Sequence, residues 1–193
     1  MPVFSADQLR LSGERLLAAC GASADEARAV AGELVDASLR GIDSHGVVRL
    51  VMYADHVRDG TIRPGAPITV ARETPGAVVV DCHRGFGIVG ALRMAEIVAE
   101  KARGPGIACA ASLGLNHTGR LGAYPERLAG LGLFGLATVN SPRHGHFVSP
   151  WGGREGRLAT NPLAWAAPSG SSSTGGAPLV MDMSTSMIAE GKI

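Results

Sequence analysis

Gly85-Phe86-Gly87-Ile88-Val89-Gly90 is the stretch whose reading decides the fold. It matches Gly-x-Gly-x-x-Gly. That turn seats a dinucleotide pyrophosphate when it links a strand to a helix and an acidic residue follows about twenty positions on. The order here is right. Strand-like Ala77-Val78-Val79-Val80 precedes it, and a segment at 88–103 with Leu92, Ala95 and Val98 on one side reads as a helix. The acid is missing: the next apolar run, 107–111, leads into Ser112-Leu113-Gly114, and the first glycine lies several residues past its strand. These glycines read as tight-turn positions, and the stretch argues against a Rossmann fold. A second match, Gly130-Leu131-Gly132-Leu133-Phe134-Gly135, runs from helix into strand, the reverse of what a pyrophosphate turn needs.

Upstream, the period is helical. Ser5-x-x-Gln8 and Ser23-x-x-Glu26 are capping boxes, each opening a helix. The first helix ends near Gly21. The second carries the stripe Ala27, Val30, Ala31, Leu34, Val35 and stops at Gly41. A third is expected over 44–59, with Val47, Leu50, Val51 and Ala54 facing the core. Residues 1–60 therefore read as a helical layer whose apolar stripes need a partner. Downstream, strand-like runs at 68–70, 77–80, 107–111, 133–139, 163–167 and 177–182 are interleaved with helices at 88–103 and 121–129. This alternation gives an α/β class, with a mixed sheet and its helices over 61–193. Segments 141–156 and 169–176 read as loops.

A chain of 193 residues with 46% hydrophobic content can bury a sizeable core. Its 18 Lys and Arg nearly cancel 17 Asp and Glu, and aromatics are only 4%, so a nucleic-acid partner is not expected. The three scattered cysteines, Cys20, Cys82 and Cys109, form no Cys-x-x-Cys pair and suit a reducing compartment. Residues 1–10 hold no apolar run of signal-peptide length and no stretch approaches a membrane span, so a cytoplasmic setting without a membrane partner is the expectation.

Three stretches carry candidate chemistry. In Arg40-Gly41-Ile42-Asp43-Ser44-His45-Gly46-Val47-Val48-Arg49-Leu50, a helix over 44–59 would put His45 and Arg49 on one face. A 2-oxo acid undergoing reduction needs that pair. The guanidinium fork suits its carboxylate, and an acid must quench the charge growing on its carbonyl oxygen. The plainer alternative makes Ser44 a helix cap and Arg49 a solvated charge. In Asn116-His117-Thr118-Gly119-Arg120-Leu121-Gly122, N–H groups at Gly119, Arg120 and Leu121 could hold a pyrophosphate at a helix start, with Arg120 adding charge. Equally, Asn116 or Thr118 caps that helix and His117 packs locally. In Met181-Asp182-Met183-Ser184-Thr185-Ser186, Asp182 could accept ribose hydroxyls or cap a helix. His144-Gly145-His146 lacks a third ligand, so no metal site is expected.

Five motifs in order resemble one family. They are Gly41-x-x-Ser44-His45-Gly46-x-x-Arg49, Asn116-His117-x-Gly119-x-x-Gly122-x-Tyr124, Pro150-Trp151-Gly152-Gly153-Arg154-Glu155, Ala159-Thr160-Asn161-Pro162, and Met181-Asp182-Met183-Ser184-Thr185-Ser186 with Gly191-Lys192 beyond. The chain resembles the malate/L-lactate dehydrogenase family of the second type. That family also includes ureidoglycolate dehydrogenases, diketogulonate reductases, sulfolactate dehydrogenases and cyclic-imine carboxylate reductases. The resemblance implies a non-Rossmann nicotinamide enzyme using NAD or NADP, a homodimer, acting on a small 2-oxo or 2-hydroxy acid. It implies His45 as proton donor, Ser44 as a relay beside it, Arg49 as the substrate-carboxylate ligand and Thr160 as a substrate contact. It implies cofactor contacts from His117, Thr118, Gly119, Arg120 and Leu121, and from Asp182, Met183 and Ser184. His117 is a rival to His45 as the acid. Three features depart from the family pattern. Ala159 replaces a glycine, the 169–176 loop is longer, and family members continue well beyond Ile193, so an N-terminal part of a longer enzyme is expected. The readings held beside oxidation of a 2-hydroxy acid are a cyclic-imine carboxylate reductase and an inactive truncated chain.

Overall fold

A computed structural model describes residues 3–141, 146–170 and 176–186. The chain forms two compact units, Met1–Arg120 and Leu121–Ile193, so the layer boundary expected at residue 60 falls inside the first.

The first unit opens with α1 (Ala6–Ala19) and α2 (Ala24–Leu39). Both capping boxes form: Ser5 and Ser23 accept the N–H of Gln8 and Glu26, whose side chains accept in return from the serine N–H groups. The α2 stripe Ala27, Val30, Ala31, Leu34 and Val35 is buried throughout. A single 3₁₀ turn, Asp43–His45, then leads to α3 (Arg49–Arg58). Leu17, Val30, Leu34, Tyr53, Ile62, Phe86 and Ile88 make one core, so the helical layer buries its stripes on itself and on the start of α4 (Gly87–Ala102). Strands β1 (Thr69–Glu73), β2 (Ala77–Asp81) and β3 (Cys109–Leu113) form a mixed sheet, β1–β2 antiparallel and β2–β3 parallel. Val78, Val80 and Cys82 pack with Met94 and Ile97 of α4.

In the second unit, α5 (Ala123–Gly130) packs on an antiparallel sheet of β4 (Gly135–Thr138), β5 (Leu163–Ala167) and β6 (Leu179–Met183). The class is α/β as expected, but among the described residues the β-structure is two three-stranded sheets, the first mixed and the second antiparallel.

The third helix departs from its expected bounds. It begins at Arg49, and Gly46 before it is extended, with ψ −153°. The cause is a contact to α2. Ser38 Oγ accepts the Val47 N–H at 3.1 Å, and a Cβ at Gly46 would sit 2.1 Å from that same oxygen. Of the expected stripe, Ala54 is buried and Leu50 packs against the core, but Val51 is 66% exposed and Tyr53 is buried in its stead.

The glycines at 85–90 have packing roles as well as a turn role. Gly85 closes a turn by donating its N–H to the Cys82 carbonyl at 2.8 Å. A Cβ at Gly87 would meet the Asn116 and His117 carbonyl oxygens at 2.1 and 2.3 Å, and one at Gly90 would meet Leu115 at 2.6 Å. Their missing side chains let α4 pass directly beneath the segment that carries His117.

Candidate active site

The two histidines of the motifs meet in the first unit. The rings of His45 and His117 are stacked, with centroids 5.5 Å apart and planes 20° apart. His45 is presented by the 3₁₀ turn, and its Nδ1 lies 3.0 Å from Ser44 Oγ. Arg49, the first residue of α3, folds back on that turn: its Nε donates to the Ser44 carbonyl at 2.6 Å, and Nη1 lies 3.4 Å from Met52 Sδ. His45 and Arg49 therefore do not share a face of one helix, as the sequence predicted. A brace from Arg49 to the Ser44 carbonyl ties them together instead. With Nε engaged, the two Nη groups are the end of the fork that a carboxylate can meet.

His117 is set from several sides. Tyr53 Oη lies 2.7 Å from His117 Nδ1 and 3.2 Å from the His117 carbonyl oxygen. The Gly119 N–H donates to Nδ1 at 3.3 Å. Next to it, the Asn116 amide donates to the carbonyls of Thr61, Arg84 and Gly85, which pins the loop rather than capping a helix. Burial, and then the electrostatic effect of His45, Arg49 and His56 beside it, push His117 down to about 3, so it is uncharged at neutral pH. Burial raises Tyr53, with Arg49 pulling it partly back, so the phenol keeps its proton. Thr118 and Arg120 are buried, and the Arg120 guanidinium lies 3.7 Å from the Asp36 carboxylate. Its charge is already faced by a carboxylate of the same unit.

In the second unit, Leu121 is buried, and Asp182 Oδ2 accepts the Gly122 N–H at 2.7 Å just ahead of α5. A protein carboxylate thus stands at the helix start where the sequence suggested a bound pyrophosphate. Asp182 and Met183 are exposed at the end of β6, and Ser184 Oγ donates to the Ser186 carbonyl. The Thr160 segment is brought against this one. The Thr185 N–H donates to the Thr160 carbonyl at 3.0 Å, and its hydroxyl donates to Asn161 at 3.0 Å. Asn161 has φ +43°.

Sequence reasoning missed Tyr53. The available signal was thin: an aromatic four positions after Arg49 on the same helix. His144, Gly191, Lys192 and residues 171–175 lie outside the described residues. Among the described residues, no three His, Cys, Asp or Glu are grouped to hold a metal, and no helix is long and apolar enough to cross a membrane.

Known proteins place the chain. The family model described as malate/L-lactate dehydrogenase matches residues 4–193. A malate dehydrogenase of Pyrococcus abyssi is 39% identical over 179 residues, which are 93% of this chain and 47% of that protein. A Δ1-pyrroline-2-carboxylate reductase of Pseudomonas fluorescens is 37% identical over 98% of this chain and 54% of its own length. The solved structure of malate dehydrogenase from Pyrococcus horikoshii OT3 superposes with a TM-score of 0.90 at 36% identity, covering 97% of this chain and 51% of that one. The chain spans about half the length of the relatives it matches. With its motifs in order and its fold superposed, the chain belongs to the malate/L-lactate dehydrogenase family.

Proposed function

We propose that this protein transfers hydride between NAD or NADP and a small 2-oxo or 2-hydroxy acid, with His45 as the proton donor. The observation that carries the reading is the meeting of His45, Ser44, Arg49 and His117 around one pair of stacked rings. The second unit suits a nicotinamide cofactor by its donor set. Asp182 is an exposed carboxylate with one oxygen on Gly122, and the hydroxyls of Ser184, Thr185 and Ser186, of the kind that bind ribose, follow it in sequence. Asp182, Met183 and Ser184, with the loop His117, Thr118, Gly119, Arg120 and Leu121, would hold the cofactor. When bound, a reduced nicotinamide supplies hydride to the carbonyl carbon.

The chain's own residues do the rest. The Nη groups of Arg49 hold the substrate carboxylate end-on, and Thr160 is a further substrate contact. His45, as imidazolium, gives the proton on Nε2 to the carbonyl oxygen, while Ser44 on Nδ1 fixes the orientation of its ring. His117 is kept uncharged by its surroundings, and His45, with Ser44 at its Nδ1, is the acid in this reading. A homodimer in the cytoplasm is the setting that accompanies this reading.

A second reading has support from the 37% identity to a protein named Δ1-pyrroline-2-carboxylate reductase. A cyclic imine carboxylate presents a C=N bond in place of C=O, and the same acid would protonate nitrogen. One assay separates the readings. The purified protein is mixed with NADH or NADPH and a panel of 2-oxo acids and cyclic imine carboxylates, and absorbance of the reduced nicotinamide is followed. Consumption with a 2-oxo acid is expected. Consumption with imines alone would favour the second reading, and none with any substrate would leave an inactive chain.

A further inference from the structure

Two hydrogen-bond donors converge on a single atom of His117. The Gly119 N–H points at Nδ1 from 3.3 Å, and a backbone N–H can only donate. Nδ1 must therefore present its lone pair, because a proton there would oppose the Gly119 hydrogen. Tyr53 Oη, 2.7 Å from the same nitrogen, then has an acceptor for its one proton at the shorter of its two distances. Tyr53 is 1% exposed, tilted on Phe86 with centroids 6.4 Å apart, and edge-on to the His117 ring at 5.8 Å. Its hydroxyl is consequently held in place by core packing. With Nδ1 accepting, the ring proton of neutral His117 is on Nε2.

The groups facing His117 all oppose a second proton. They are His45 from the 3₁₀ turn, and Arg49 and His56 from α3. From α4, Ile88 brings only a hydrocarbon against the adjoining Gly119.

We propose that Tyr53 is a positioning residue that, together with the Gly119 N–H, locks His117 as the uncharged Nε2–H tautomer, so that His117 offers a fixed N–H to the substrate oxygen and does not exchange its proton. This rests on the reaction proposed above. Hydride from the nicotinamide goes to carbon, the proton from His45 goes to oxygen, and His117 returns from the step unchanged. A neutral imidazole in this role stabilises charge as it develops on oxygen, without competing with His45 as the acid.

Nitrogen NMR of the protein labelled with ¹⁵N-histidine tests the lock with no substrate or cofactor present. The His117 signals are identified by their loss in His117→Gln. The expected spectrum has a pyridine-like Nδ1 and a pyrrole-like Nε2, unchanged between about pH 5 and about pH 8. In Tyr53→Phe only the longer Gly119 N–H contact is left on Nδ1, and the ring should become a mixture of tautomers while staying uncharged, because its burial and charged neighbours remain. A protonated Nδ1 in the unsubstituted protein would overturn the proposal, and so would a Tyr53→Phe protein whose His117 keeps the Nε2–H form alone. Should Tyr53→Phe fail to fold, the coupling between the Tyr53 hydroxyl proton and Nδ1 in the unsubstituted protein takes its place, and absence of that coupling overturns the donor assignment. In turnover, Tyr53→Phe should lower kcat by about 10-fold or more with KM little changed. A locked tautomer in a protein that consumes no reduced nicotinamide would overturn the proposed reaction instead, so the two failures are distinguishable.

Discussion

His117 is a histidine whose charge is decided by its neighbours. Packed beneath Tyr53 and beside His45, Arg49 and His56, it stays neutral in the folded protein down to about pH 3, whereas in the unfolded chain it takes a proton near the ordinary ~6.5. Between those values the unfolded state binds the extra proton, so His117 makes folding less favourable as pH falls through that window. Urea unfolding at about pH 7 and about pH 4.5 should show a smaller loss of stability in His117→Phe than in the unsubstituted protein. An equal loss in both would place the acid sensitivity elsewhere. Arg49 braces the Ser44 carbonyl through Nε, and the proposed reaction gives its Nη groups the substrate carboxylate. Arg49→Lys removes the planar fork. It should raise KM for 2-oxo acids about 10-fold or more and also lower kcat, because the turn carrying His45 is loosened. An unchanged KM would take Arg49 out of substrate binding.

At the scale of elements, glycines report how α4 seats the His117 loop. Gly87→Ala drives a methyl group into the Asn116 and His117 carbonyls, which are backbone and can give way only by shifting the loop. A destabilisation of about 1–3 kcal/mol or more is expected, with loss of turnover. Gly32, inside α2 with open space around its Cα, is the control. Gly32→Ala should stabilise by about 0.5–1 kcal/mol through helix propensity alone. Thermal melts of the two variants check both signs, and matching shifts would contradict the packing account. The same elements show what a sequence can disclose. Ser5 with Gln8 and Ser23 with Glu26 are local signals three residues apart, and both helix starts were legible. The start of α3 was not, because it depends on Ser38 of another helix, nine residues from its partner Val47. Tyr53 stayed hidden for a similar reason, since its partner His117 is 64 positions away. Residues 85–90 were legible as something other than a pyrophosphate turn, but the reason for Gly87 and Gly90 appears only when residues 115–117 lie against them.

At the scale of the whole molecule, the motifs divide between two units. His45, Arg49 and His117 belong to the first, and Thr160 and Asp182 to the second. Their order along the chain was enough to show the family, because motif order survives where pairwise geometry is not yet known. Composition spoke only to partner classes and could not have separated two small sheets from one. The second sheet carries Leu136, Trp165 and Met181 in register on one face, with Leu136 59% exposed, in a chain about half as long as its relatives. The proposed reaction makes His45 the acid beside a His117 that is kept uncharged. Its most direct test is kcat for His45→Ala beside the unsubstituted protein, with the same 2-oxo acid and reduced nicotinamide. A fall of about 10²- to 10⁴-fold is predicted, the usual contribution of one general acid, and turnover near the unsubstituted rate would contradict it.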